Sequence, residues 1–406
     1  MLHRPDLAAG PPKSYALAKD LQNCIAPAAE AFCLPPQCYA EEAVLQAEIE
    51  TFFRRKWIGI GHSGRFKAAG DYEALEVGGV PLIVIRGKDG VLRAFANSCR
   101  HRGARLLDGE GNCRNIRCPF HSWGYKLDGR LIGVPHMEDA AGFDKADYGL
   151  TAFRAAELGG FAFVCLNDAT PSLSEEFGNF AKIHSPWPLN NLVPTRRHSF
   201  EVRCNWKSFL DVFNEYYHLP YVHRDSIDGV YNRPEVASPA RGAYASQFGA
   251  TDGTGGLLEH QQDHALPAMS GLEDAASKGV RYTWLFPNMT FAAASDSLWI
   301  YEANPIDARS CRVTQTICFP QEVTEWPDFE ARAKHYYHRL DAAIAEDIPV
   351  LENQQRGLNS PFAVQGRFSP HLEANVAAFA KWYAGEMLAA DHALSNAATM
   401  ASGASS

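Results

Sequence analysis

The sequence contains no apolar run approaching the roughly 18 residues that a membrane-crossing helix needs, so no membrane partner is expected. Its opening stretch, MLHRPDLAAGPPKSYALAKD, has no continuous apolar segment of the kind a secretory signal carries, and a cytoplasmic location is expected. Basic charge is not in excess either. The 38 Lys and Arg stand against 47 Asp and Glu, a formal net charge of −9. Nucleic-acid binding generally needs a basic face that displaces counterions from phosphates, so no nucleic-acid partner is expected. No internal repeat and no Gly-rich dinucleotide fingerprint is visible. Clustered cysteines are also missing. The ten (Cys24, Cys33, Cys38, Cys99, Cys113, Cys118, Cys165, Cys204, Cys311 and Cys318) are spread along 406 residues. A small disulfide scaffold concentrates its cysteines, so most of these read as reduced and structural, except those spaced with histidines.

What is present is a chain long enough for two or three domains, or for one core with a large insertion. Residues 1–40 are rich in Ala and Pro and read as an arm with short helical pieces. Glu41 to Trp57 reads as a helix. Residues 81–86 and 91–96 are β-rich runs flanking Gly87-Lys-Asp-Gly90, and Asp128-Gly129 signals a second hairpin. Gly160 to Leu166 reads as a buried strand, which makes about 57–170 a small all-β unit. Residues 171–190 carry the crossing into a second unit. Asn205 to His223 reads as helical up to Leu219-Pro220, and 235–280 as loops. Strands are expected at 280–286 and 298–304. A helix is expected over 328–355, with Pro349 kinking or ending it, and a last helix over 371–389 after Ser369-Pro370. The tail from Ala390 reads as frayed.

Cys99-Arg-His101, sixteen intervening residues, and Cys118-Pro-Phe-His121 form the strongest pattern in the chain. Two Cys–His pairs on two loops can hold a [2Fe–2S] cluster with thiolates on one iron and imidazoles on the other, the Rieske arrangement. Neutral imidazoles in place of two thiolates raise the potential of such a cluster. Structural zinc also accepts two Cys and two His, but zinc fingers keep like ligands together whereas here Cys and His alternate. Cys113, between the pairs, reads as a buried thiol rather than a ligand.

ANSCRHRGARLL followed by CPFHSWGYKLDG resembles the Rieske domain of the α subunits of Rieske non-haem iron oxygenases, the ring-hydroxylating oxygenase family. The resemblance implies an α+β fold: an all-β [2Fe–2S] domain inserted into a larger helix-grip-like catalytic domain with an antiparallel sheet and flanking helices. It divides the chain into an arm (1–40), a first catalytic-domain helix (41–56), the Rieske domain (57–170), the mononuclear-iron domain (171–390) and a tail (391–406). It also predicts a second metal site. His218 and His223, in NWKSFLDVFNEYYHLPYVH, can converge on one point if the chain loosens near Pro220. Two imidazoles and one carboxylate form the facial triad of non-haem Fe(II) oxygenases. By resemblance the carboxylate comes from Glu346-Asp347, ahead of Gln354-Gln355-Arg356-Gly357, with Asp347 the third ligand and Glu346 the lesser candidate. His260/His264 and His335/His338 have helical spacing too and read as facing solvent or satisfying hydrogen bonds rather than as ligands.

The resemblance further implies that Glu215 bridges subunits, joining the Rieske histidine of one protomer to His218 of its neighbour, in a homotrimer. Ring-dihydroxylating members commonly carry Asp there. Glu is similar to the branch acting on choline, glycine betaine, carnitine and stachydrine, although Asp211-Val212 stands where those commonly read Glu-Asn. By implication the chain is a terminal oxygenase for a small-molecule substrate. Such an enzyme takes O2 and electrons originating in NAD(P)H from a separate reductase with flavin and ferredoxin-type centres. An aromatic pocket would suit a quaternary ammonium through cation–π attraction. Tyr282, Trp284, Phe286, Phe291, Trp299 and Tyr301 are its candidates, and they equally suit a plain sheet core. Hydroxylation of an arene or aromatic acid is the alternative chemistry, and a Rieske electron carrier without oxygenase activity the alternative class.

Overall fold

The computed structural model describes residues 14–403 apart from 225 and 232. Short apolar runs separated by Gly-containing turns build an all-β unit first. Its strands are β1 (Ile58–His62), β2 (Asp71–Val77), β3 (Val80–Arg86), β4 (Leu92–Ala96), β5 (Glu110–Asn112), β6 (Ile116–Arg117), β7 (Gly124–Tyr125), β8 (Leu131–Gly133), β9 (Ala152–Leu158) and β10 (Phe161–Cys165). Seven form one sheet in the order β1-β10-β9-β4-β3-β2-β5, and β6-β7-β8 form a second. Both expected hairpins are present, as β3–β4 and as β7–β8. Gly90 and Gly129 take the positive φ that those turns require. Strand β3 shows how two cores share one sheet. Leu82 and Val84 point into the main core, while Ile83 and Ile85 point into a smaller one with Phe95, Ile116, Trp123 and Tyr125.

The second unit holds β11 (Leu192–Val202), β12 (Tyr244–Ala250), β13 (Gly279–Leu285), β14 (Met289–Ala293), β15 (Leu298–Asp307) and β16 (Ser310–Pro320). They form an antiparallel sheet in the order β11-β16-β15-β14-β13-β12. The helices Trp206–Phe213, Phe329–Leu358 and Ala374–Gly403 flank it. The segment preceding the β-unit also belongs here. Glu48 is fully buried and accepts from Trp206 Nε1, from Lys207 Nζ at 2.6 Å and from Tyr383 Oη. The β-unit is therefore an insertion between Phe53 and β11. No described helix is long and apolar enough to cross a membrane.

Several expectations are corrected. The first helix is regular only over Glu42–Glu48 and continues as a wider turn through Ile49–Phe53. The stretch 235–280 is not all loop: β12 is buried along its length, its polar side chains partnered inside. Gln247 donates to the carbonyls of Glu235 and His371, and Ser246 pairs with Thr283. Strands β11, β14 and β16 were not anticipated either. Pro349 does not end its helix, which runs on to Leu358. Pro349 and Ala345 both face solvent, so water can satisfy the carbonyl that loses its partner. The final helix extends to Gly403 rather than fraying from Ala390, in keeping with the high helix propensity of its many alanines.

Candidate metal centres

The β-unit places its Cys–His pairs on two facing turns. After β4, Asn97 pins the first loop: its Nδ2 donates to Leu107 O at 2.7 Å and its Oδ1 accepts from the N–H groups of Leu106 and Leu107. The second pair lies in the β6–β7 turn, where Ser122 N–H donates to Cys118 O and Ser122 adopts positive φ. Cys99 and Cys118 are buried, 3% and 2% exposed. The rings of His101 and His121 lie 4.8 Å apart, with Trp123 stacked on His101. Tyr125 Oη accepts from Arg100 N–H and lies 3.3 Å from Cys99 Sγ. Burial pushes the pKa of this phenol up, and its hydroxyl is placed to donate to a Cys99 thiolate. His121 Nδ1 is buried with no hydrogen-bond partner, an orphaned donor atom of the kind a cluster iron takes up. Cys113 is only half-buried and stands apart, its thiol raised by burial.

The second centre is built differently from the expectation. The helix capped by Asn205 ends at Phe213 rather than Leu219, with Asn214 Nδ2 donating back to Leu210 O at 2.7 Å. The Glu215 carboxylate then accepts from the N–H groups of Tyr217 and His218. One short helical turn follows, Leu219–Val222, with Pro220 in its first turn where no N–H is needed. His218 precedes that turn and His223 ends it, so their rings lie 4.9 Å apart.

Asp347, on the Phe329–Leu358 helix, completes the group. His218 Nε2, His223 Nε2 and Asp347 Oδ1 lie within 4.8 Å of one another. Asp347 Oδ1 is 3.0 Å from His223 Nε2 and 3.7 Å from His218 Nε2. The opposite ring atoms are committed. His218 Nδ1 faces Glu215 Oε1 at 2.5 Å, and His223 Nδ1 faces Glu346 Oε2 at 2.7 Å. With both Nδ1 protons given to carboxylates, both neutral rings turn Nε2 lone pairs toward a carboxylate oxygen. Three acceptors facing one another need a cation between them, so the donor set fits a divalent metal. Without a metal, burial lowers the pKa of His223, but Asp347 and Glu346 outweigh it and hold the imidazole above its ordinary value.

Glu346, the lesser ligand candidate, thus faces away from the triad and holds His223 and Ser226 Oγ instead. The two other histidine pairs do not act as pairs. His264 stacks on His335 across elements, ring centroids 3.7 Å apart.

A cavity opens beside the triad, lined by Phe209, Phe213, Tyr216, Tyr282, Tyr301 and Arg339 among others. It encloses about 50 Å³. Its wall includes Ile227, which packs with Leu258 and Ala343 in a small cluster apart from the main core. Of the six aromatics expected here, Tyr282 and Tyr301 line the cavity. Trp299 sits behind Tyr282 and against the Arg339 guanidinium, at 5.2 Å. Three are misplaced by the sequence reading. Trp284 and Phe286 pack on Phe379 of the last helix, and Phe291 lies on the opposite sheet face against Phe161 and Phe180. Phe209, Phe213 and Tyr216 were missed, although 209 and 213 are one helical turn apart. Arg339 was missed as well, although 339, 343 and 347 share one helix face.

Val212 lines the cavity, whereas Asp211 points away from it and accepts from Tyr39 Oη at 2.9 Å. Burial pushes the Asp211 carboxyl up to about 7. A carboxyl raised in the fold contributes stability that is full below its ordinary 3.8 and is lost as pH rises to about 7. Asp211→Asn, which cannot ionise, is expected to gain about 2–3 kcal/mol on the wild type between about pH 5 and about pH 8 in chemical denaturation. A constant difference across that range would refute the assignment.

Comparison with known proteins matches both units of the chain to families. Residues 56–148 match the Rieske [2Fe–2S] domain, and residues 189–389 match the ring hydroxylating alpha subunit (catalytic domain). β9 and β10 carry the structural β-unit on to Cys165. The chain is 31% identical over 354 residues to the carnitine monooxygenase oxygenase subunit of Escherichia coli (strain K12), covering 85% of this chain and 90% of that one. It is 26% identical over 388 residues to the glycine betaine monooxygenase oxygenase subunit of Pseudomonas aeruginosa, covering 88% and 89%. A crystal structure of the quaternary ammonium Rieske monooxygenase CntA in complex with L-carnitine superposes with a TM-score of 0.76 at 26% identity, covering 90% of this chain and 98% of that one. The chain belongs to the Rieske non-haem iron oxygenases, as an oxygenase (α) subunit with a [2Fe–2S] domain and a mononuclear-iron catalytic domain.

Proposed function

We propose that this chain is the terminal oxygenase of a multicomponent system and hydroxylates an N-methyl carbon of a small quaternary ammonium compound. Two electrons come from NAD(P)H through a separate reductase with flavin and ferredoxin-type centres. One atom of O2 enters the C–H bond and the other leaves as water with two protons. The resulting carbinolamine collapses to formaldehyde, a proton and the demethylated amine. Cys99, His101, Cys118 and His121 would hold the cluster, and His218, His223 and Asp347 the mononuclear iron. When bound, these groups supply electron storage and oxygen activation.

The observation that carries this reading is the convergence of His218, His223 and Asp347 on one point at the edge of an aromatic-lined cavity. Around it the chain's own residues have separable tasks. Glu215 and Glu346 fix the tautomer and direction of the two imidazoles. Phe209, Phe213, Tyr282 and Tyr301 exclude water and offer ring faces to a methylated ammonium. Glu215 remains partly exposed, 11% at its side chain, and keeps a lone pair for an imidazole N–H of a second copy. Tyr217 and Tyr221 beside it, and Phe120 beside His121, are exposed aromatics suited to the two sides of such a contact. On this reading the contact repeats around a ring as a homotrimer, and the enzyme works in the cytoplasm.

The test is O2-dependent turnover with a surrogate reductase, offering quaternary amines beside simple arenes and aromatic acids. Formaldehyde from a methylammonium compound is the expected product. A diol or phenol from an arene would overturn the reading.

A further inference from the structure

The cavity beside the triad has a second charged end. Arg339 is 3% exposed and lines the cavity two helical turns before Asp347, with Ala343 between them on the same face. Eight residues of helix rise about 12 Å. The Arg339 guanidinium lies over Trp299, and Nη2 donates to Tyr231 Oη at 2.9 Å. Tyr231 Oη is itself held by Tyr282 Oη at 2.8 Å. Among the described residues no carboxylate lies within 4.0 Å of this guanidinium, whereas most other buried or half-buried arginines here are paired. Arg339 Nε is buried without a hydrogen-bond partner. Tyr216, whose ring lines the same cavity, packs its hydroxyl against Gly249 of β12.

A buried guanidinium without a carboxylate is costly in a finished core. It is explained if a ligand supplies the acceptor. The charges of the cavity agree: the Arg339 guanidinium stands on one part of its lining and the acceptors of the triad on another.

We propose that Arg339 anchors a carboxylate of the substrate, so that the cavity takes a short zwitterion with its carboxylate at Arg339 and its methylated ammonium toward the triad. This rests on the N-demethylation reading and narrows it. Betaines, which carry both charges, are bound, whereas alcohols such as choline and cationic esters of the same length, which carry only the ammonium charge, are not. The guanidinium is a planar fork that matches a carboxylate, so lysine would replace its charge but not its geometry.

The experiment compares γ-butyrobetaine with its methyl ester, which differ at the carboxylate and keep the same methylated ammonium. Dissociation constants are measured by calorimetry on the iron-loaded oxygenase, and formaldehyde is measured with the surrogate reductase. The wild type is expected to bind the acid at least about a hundredfold more tightly than the ester. Arg339→Gln is expected to lose that preference through weaker acid binding, raising KM far more than it lowers kcat, and Arg339→Lys to recover part of it. The visible spectrum of the cluster reports that each variant is folded, and the wild-type preference needs no variant. Equal binding of acid and ester by the wild type would overturn the anchor while leaving N-demethylation standing. Tight, Arg339-dependent binding of the acid with no formaldehyde would keep the carboxylate site and overturn the demethylation.

Discussion

Asp347→Ala is expected to abolish O2-dependent turnover, with the mononuclear iron lost and the visible spectrum of the [2Fe–2S] cluster unchanged. The neighbouring Glu346→Ala is expected to keep turnover at saturating iron and to weaken iron binding by roughly 10- to 100-fold, the usual effect of removing a partner behind a ligand. The contrast follows from direction alone. The two carboxylates are adjacent on one helix, about 100° apart around its axis. Asp347 Oδ1 meets both Nε2 atoms, while Glu346 Oε2 reaches His223 from behind. Iron content by metal analysis and the rate of product formation separate the two variants. Full activity in Asp347→Ala would refute the triad.

The second large effect is expected at Glu215. Replacement by Gln preserves size but not acceptor capacity. Within the chain this carboxylate accepts on Oε1 from His218 Nδ1 and on Oε2 from the N–H groups of Tyr217 and His218. An amide has one acceptor oxygen, so its NH2 must face either those backbone donors or the imidazole, and the site is strained either way. With both metal sites loaded, Glu215→Gln is expected to slow reoxidation of the reduced cluster in a single turnover by at least about tenfold to a hundredfold. A native rate would remove Glu215 from the electron path.

The sequence carried the metal chemistry because that chemistry is written in local spacing. Cys-x-His and Cys-x-x-His each fit within one turn, and His218 and His223 flank one helical turn. Asp347 lies 124 residues beyond His223 and was found through the resemblance rather than through any local pattern. What stayed hidden depended on tertiary direction. Trp284 and Tyr282 alternate on the same sheet face, yet the last helix covers one and the cavity opens at the other. Glu346 and Asp347 look alike in one dimension. Strand β12 reads as loop because Ser246 and Gln247 are polar, and its burial depends on partners at Thr283, Glu235 and His371. Arg339 resembles any helix-surface arginine until its neighbours are known.

The buried clasp of Glu48 on Lys207 ties together segments 159 residues apart, and Gln365 and Arg367 hold the carbonyls of Ala29, Ala31 and Cys33 more than 330 residues away. These ties set an order of assembly during synthesis. The strands around the cluster are contiguous from Ile58 to Cys165, so that unit can close while the rest of the chain is still on the ribosome. The iron-side unit cannot: its first helix waits, unpartnered, for Trp206, Lys207 and finally Tyr383. The cluster fold is therefore expected to form first, and the iron site only once nearly the whole chain has emerged. A chain truncated before the last helix keeps a closable cluster unit but leaves Glu48 without one of its three partners.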